Sequence, residues 1–183
     1  MIDQPAVGGG DGSGPMPGDE LITEPHVSND RAVSLGAPRE DVFAWLAQMG
    51  FGRAGWYSYD WIDNLGRRSA DRIHPEWQVR GAGEQISGGP IAFDVTHYRR
   101  PDHLVLALPD RRVVGHRLWF TLAYRLEPLG SEGAATRLVT RARIRIDGPA
   151  GRAMSAGLGW GDGIMVRRQL RGLAMRCGTA VSG

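Results

Sequence analysis

At 183 residues, with 42% hydrophobic and 23% charged side chains, the chain is long enough for one folded domain with a sizeable core. A formal net charge of +2 argues against nucleic-acid binding driven by a strong global field, and the single cysteine, Cys177, excludes an intramolecular disulfide and a cysteine-based zinc cage. All 22 basic residues are Arg, so Schiff-base, lysine-nucleophile and P-loop-lysine chemistry are excluded as well.

No apolar run approaches the ~18 residues needed to cross a bilayer. The start, MIDQPAVGGGDGSGPMPGDE, has no basic region followed by an apolar one and does not read as a secretory signal. The expectation is a cytoplasmic protein with no membrane insertion. Residues 1–20 are rich in Gly, Pro, Ser and Asp, too poor in large apolar groups to offset the entropy of ordering. They read as a disordered tail, and 21–183 as a single domain.

DRAVSLGAP, residues 30–38, alternates through Val33 and Leu35 and predicts a first strand. PREDVFAWLAQMG, residues 38–50, predicts a helix. Glu40 and Asp41 suit its positive end, Val42, Phe43, Leu46 and Met49 share its apolar face, and Gly50 ends it. A second short helix is expected over 55–65, with Tyr57, Trp61 and Leu65 on one face and Gly66 closing it. The following segment reads as connection, with a short strand near Glu84–Ile86.

Period-two segments follow. Residues 91–99 set Ile91, Phe93, Val95 and His97 on one side, and 103–108 set Leu104, Leu106 and Leu108 on one side. Residues 113–129 align Val114, His116, Leu118, Phe120, Leu122, Tyr124 and Leu126. Across the GSEG turn, 136–147 divides Leu138, Thr140, Ala142, Ile144 and Ile146 from Arg137, Arg141, Arg143 and Arg145. One apolar and one polar face predict an antiparallel sheet wetted on a single side. In 161–178 the period changes: Val166, Leu170, Leu173 and Cys177 form a helical stripe, and Gly178 ends it. GLGWGDG, residues 157–163, reads as a flexible hinge at the start of that helix or as a simple linker. The apolar sheet face needs a cover, and the terminal helix supplies one; a curved sheet would leave an apolar gap beneath it.

The stretch RAGWYSYDWID, residues 53–63, holds two Trp, two Tyr and two Asp. Such side chains combine large apolar area with polar tips and suit either a core or a pocket wall. Asp60 and Asp63, three apart, would share a helix face; paired carboxylates divide acid and base roles only where burial separates their pKa values, and otherwise pair with Arg or solvent. His97, His116, Tyr124 and Thr140 fall on expected inner faces, where polar tips need a backbone, water or ligand partner. No nucleophile or oxyanion site surrounds either histidine, and no His cluster has metal-ligand spacing. The arginines of 137–145 read as a solvated face without the interleaved aromatics that stack bases.

The element order, together with SLGAPREDVFAWLAQMG after the first strand and GDGIMVRRQLRGLAMR at the end, resembles the START-like superfamily, also called the polyketide cyclase or Bet v 1-like group. GRAGWYSYDWIDNLGR is similar to a stretch in uncharacterised bacterial members. The resemblance spans roughly Asp30 to Arg176. It implies an α+β helix-grip fold, a curved antiparallel sheet wrapped around a long C-terminal helix, with two short helices after the first strand. It also implies an internal hydrophobic cavity, but no universal catalytic motif, so no catalytic residue is carried over. Fold alone does not settle function. The first expectation is a binder of a small hydrophobic molecule such as a lipid, a polyketide or another aromatic metabolite. Trp56, Tyr59, Asp60, His97, His116, Phe120, Tyr124 and Thr140 would contact it, with no cofactor and no metal. The alternatives are a cyclase- or dehydratase-type enzyme using a cavity His or Asp, and a co-chaperone-like module that binds partners through the Arg strand.

Overall fold

The computed structural model describes residues 8–9, 14–113, 115–130 and 132–178. The period-two segments become strands of one seven-stranded, wholly antiparallel sheet. In chain order they are β1 (Gly8–Gly9), β2 (Val27–Leu35), β3 (Gln85–Ser87), β4 (Ala92–Arg99), β5 (His103–Val113), β6 (His116–Leu129) and β7 (Ala135–Ile146). Their order across the sheet is β1-β2-β7-β6-β5-β4-β3, so the first long strand returns to pair with the last. Helix α1 (Arg39–Ala47) follows β2, α2 (Asp60–Asp63) follows α1, and α3 (Gly151–Cys177) closes the chain. This is the expected α+β arrangement, an antiparallel sheet packed against a long C-terminal helix in helix-grip fashion.

Side-chain alternation decides which residues meet. Leu104 and Leu106 from β5, Leu122, Tyr124 and Leu126 from β6 and Leu138 and Ala142 from β7 all point towards α3. They bury against Val42, Phe43, Leu46 and Met49 of the α1 region and Val166, Leu170 and Leu173 of α3. Val166, Leu170, Leu173 and Cys177 form the expected buried stripe, and burial pushes the Cys177 thiol up to about 12.

Three expectations are corrected. First, α3 begins at Gly151, so 157–163 is neither hinge nor linker. Gly151, Ser155, Gly159 and Gly163 recur every fourth residue and are all buried. This small-residue face lets β2 approach with polar side chains: Asn29 Nδ2 donates to the Gly159 carbonyl at 3.0 Å, and the Arg31 guanidinium lies against Gly163. Second, the helix expected over 55–65 shrinks to Asp60–Asp63. Tyr57 and Leu65 both hold left-handed backbone, at φ 58° and 50°, which no helix accommodates. Tyr57 is consequently buried, whereas Trp61 and Leu65 are 73% and 77% exposed, so the three share no face.

Third, the outer sheet face is not simply wetted. Odd-numbered Val105, Ala123 and Val139 form an outer apolar patch capped by Met16. The tail expected over 1–20 falls mostly outside the described residues, but 14–20 lies on this face. Arg141 grips Asp30 through two bonds, Nε to Oδ1 at 2.8 Å and Nη2 to Oδ2 at 2.7 Å, and reaches Asp19 with Nη1 at 2.7 Å. Arg143 pairs with Asp19, and Arg145 with Glu24 and Asp147. The Arg strand thus holds down the chain's own N-terminal segment. Forked, half-buried pairs of this kind are stronger than exposed ones. Arg141→Ala lowers stability by about 1–3 kcal/mol, read as a lower denaturant midpoint at unchanged slope. It also speeds proteolysis near residues 14–20.

Candidate functional site

The interior is filled at one end and open at the other. At the filled end Tyr124 is wholly buried, and its hydroxyl donates to Gln169 Oε1 at 2.9 Å. Burial drives that phenol's pKa well above its ordinary value, so it stays a neutral donor. The Gln169 amide nitrogen points back to Met49 Sδ at 3.2 Å. Beyond this layer a pocket of about 190 Å³ opens, walled by Trp56, Phe93, Phe120, Leu122, Met165 and Val166. Gln169, Ser58, Asp63 and Asp162 add its polar groups. A neighbouring pocket of about 230 Å³ shares Phe93, Phe120 and Asp162 and continues past Leu108, Leu118 and Ile144. Trp56 meets Phe93 edge-on at 5.5 Å between centroids, and Phe93 meets Phe120 at 5.9 Å, so three rings form a continuous wall. A Cβ at position 88 would lie 2.6 Å from the Phe93 ring, so Gly88 is what lets that ring close the wall.

The segment 53–63 is positioned by its backbone. Gly50 and Gly55 exchange two hydrogen bonds at 3.0 Å, a tight loop that turns the chain back towards α3. Tyr57 then anchors it: the hydroxyl donates to the Trp45 carbonyl at 2.9 Å and accepts from Gln48 Nε2 at 3.0 Å, and Arg176 covers the ring at 4.7 Å. Ser58 Oγ donates to the Met165 carbonyl at 3.1 Å, tying the same segment to α3. With Tyr57 fixed inwards, Trp56 faces the pocket.

Two carboxylates line this pocket, and each is anomalous. Both oxygens of Asp63 are buried without a hydrogen-bond partner, as is Oδ2 of Asp162. Burial first, then the neighbouring Asp60 charge, raises Asp63 to about 6, although the nearby Asp63 and Tyr59 amides, outside hydrogen-bond geometry, draw it down. Burial raises Asp162 to about 7 even though Arg31 favours its anion. Among the described residues no group of three His, Cys, Asp or Glu side chains could hold a metal ion. The chemistry on offer is therefore an aromatic wall with two carboxyl groups that change charge between mildly acid and neutral pH.

Of the residues expected to meet a ligand, Trp56 and Phe120 line this pocket. Tyr124 lies one layer beneath it, joined through Gln169. Thr140 is buried alongside, with its hydroxyl 3.5 Å from the Arg31 carbonyl. Tyr59 lies under Arg168, whose guanidinium sits 5.8 Å from the ring centre. Asp60 does not work with Asp63: its oxygens accept from the Ser69 amide and hydroxyl and hold the loop together.

The inward expectation for His97 is corrected. A β-bulge between Val95 and His97 inserts Thr96, so every later side chain of β4 changes sides. His97 faces outwards and meets Glu20 at 3.0 Å, while Tyr98 turns in against Phe43. His116 keeps the parity of Leu118 but sits at the sheet end, its Nδ1 3.0 Å from the Asp147 carbonyl. It lines neither pocket. Val114 lies outside the described residues. Asp162 escaped sequence reasoning because, although inside the expected helix 161–178, it lies in the glycine-rich stretch ahead of the assigned apolar stripe. Extending the Val166–Leu170–Leu173 stripe back by four residues would have found it.

No family model matches the chain, and no curated protein matches it. Among the described residues no helix is long and apolar enough to cross a membrane. Similar solved structures include a protein from Mesorhizobium loti, at 15% identity over 81% of this chain and 98% of that one, with a TM-score of 0.47. A START superfamily protein from Mycobacterium smegmatis is similar at 9% identity, covering 82% of this chain and 96% of that one, with a TM-score of 0.40. The human StarD13 lipid transfer and protein localization domain is similar at 14% identity, covering 84% and 78%, with a TM-score of 0.37. The solved structures similar to this chain include START proteins.

Proposed function

We propose that the protein binds a small hydrophobic molecule in the pocket between sheet, Trp56 segment and α3. One observation carries this reading. Beside the packed core, three aromatic rings and three aliphatic or thioether side chains surround open space. Apolar area removed from water contributes ~25 cal/mol per Å², before association costs. The space is small, so the ligand is of one- or two-ring size, and a long lipid chain would need the neighbouring pocket as well.

The expected result is a concentration-dependent rise in melting temperature with compact aromatic compounds. Leu122→Trp, which fills the space, abolishes that rise and leaves the folded baseline intact. An unchanged ligand response in the filled variant would place binding elsewhere and sink the reading.

An enzyme of cyclase or dehydratase type is the second reading, favoured by one observation: Asp63 and Asp162 are pushed to about 6 and about 7, within range of general acid–base work. It requires turnover that is lost in Asp162→Asn while ligand binding persists. No comparable observation favours partner binding through the Arg strand, since residues 14–24 already engage Arg141, Arg143 and Arg145.

A further inference from the structure

We propose that the pocket selects a cationic ligand, an aromatic or hydrophobic amine whose protonated nitrogen is held by Asp63 and Asp162. This rests on the pocket-binding reading above and specifies its ligand class. Each kind of ligand would leave the buried oxygens in a different state. A hydrocarbon would seal Asp63 and Asp162 further from water while giving their oxygens nothing to accept from. An anionic ligand would add repulsion to the same loss. An ammonium group has three donors and a positive charge, and it supplies what the buried oxygens lack. The wall fits the same group: Trp56, Phe93 and Phe120 offer ring faces and edges beside the carboxylates, and aromatic faces attract cations.

Three other charged groups, Asp60, Arg31 and Arg167, bear on the site. Asp60 adds negative charge beside Asp63. Arg31, on β2, lies near enough to Asp162 to favour its anion and is itself opposed by Arg167. Both arginines line a separate groove with Asn29 and Trp160, not this pocket. Asp63, raised only to about 6, ionises at lower pH than Asp162 and is the stronger of the two anchors near neutral pH.

Ion pairing at these carboxylates also sets the direction with pH. The ligand must find them deprotonated, so affinity for the amine rises as pH goes from 5.5 to 8, over the range where about 6 and about 7 are crossed.

The test uses three probes of one shape on the full chain: naphthylmethylammonium, its neutral isostere ethylnaphthalene, and the anion naphthylacetate. Titration calorimetry at pH 7.5 is expected to show the amine binding at least about tenfold tighter than ethylnaphthalene, with naphthylacetate weakest. Asp63→Asn and Asp162→Asn each weaken the amine about tenfold while leaving ethylnaphthalene within about twofold. Retained ethylnaphthalene binding certifies that the variants are folded and the pocket is intact. If ethylnaphthalene or naphthylacetate binds as tightly as the amine, the amine inference fails and the pocket reading stands. If no probe binds, the pocket reading fails and takes this inference with it.

Discussion

Gly172→Val lowers the melting temperature by roughly 10 °C, or about 4 kcal/mol, while Gly157→Ala leaves it unchanged or raises it slightly. Both glycines lie in α3, and helix propensity alone would make each substitution favourable. Their surroundings differ. A Cβ at 157 meets nothing within 4 Å. A Cβ at 172 would overlap the carbonyl oxygen of Tyr57, which is backbone and cannot rotate aside. Tyr57 cannot yield easily either, because its hydroxyl is held by Trp45 and Gln48 and its backbone already occupies the left-handed region. The overlap must therefore part α3 from the segment that carries Trp56 and Asp63. Differential scanning calorimetry reads the loss of stability, and weaker binding of any pocket ligand accompanies it. A Gly172→Val protein as stable as the parent would mean that this segment is not pinned to α3, and the pocket would lose its wall.

Why the amino-acid pattern reveals some of this and not the rest follows from particular residues. Leu104, Leu106, Leu122, Tyr124 and Leu138 could be assigned to the inner face because strand alternation is a local rule, and burial then enforces it. His97 could not, because the inserted residue of the bulge is Thr96, and nothing in an ordinary threonine announces a change of parity. The early start of α3 was legible in principle, since Gly151, Ser155, Gly159 and Gly163 keep helical spacing. Glycine's low helix propensity outweighs that signal locally, and only close packing against Val27, Asn29 and Arg31 reverses the balance. The role of Tyr57 was hidden for a related reason. Its position reads as helical, yet a tertiary anchor holds it in a backbone region that propensity would never assign to tyrosine. Trp56 was legible as a pocket wall by composition, whereas Asp162 required following the apolar stripe one turn back, through glycines, onto a charged residue.

Asp162→Asn raises stability by about 2 kcal/mol at pH 8 and changes it little at pH 4. The sign follows from linkage. The folded-state value of Asp162 lies at about 7, above its ordinary 3.8, because burial penalises the anion more than Arg31 favours it. The folded protein therefore holds this proton more tightly than the unfolded chain. Stability from that preference is fully present below the unfolded value, falls as pH rises through the interval, and is gone above about 7. A shift of this size corresponds to at most about 4 kcal/mol, and the amide's own desolvation takes back part of the gain. Asp63, raised to about 6, contributes in the same direction over a narrower interval. Denaturant titrations of parent and variant at pH 4, 6 and 8 measure the difference directly. A variant less stable than the parent at pH 8 would mean that the carboxylate is well partnered in the empty protein, removing the imbalance from which the choice of ligand is argued. Naphthylmethylammonium adds a second arm. It supplies counter-charge at Asp162 only in the parent, and a tenfold difference in affinity is worth about 1.4 kcal/mol, so at saturating concentration it narrows the gap at pH 8 by about that amount and leaves the pH 4 ranking unaffected. Buried charge without a partner is costly in the empty pocket, and the same cost, relieved on binding, would make the pocket discriminate.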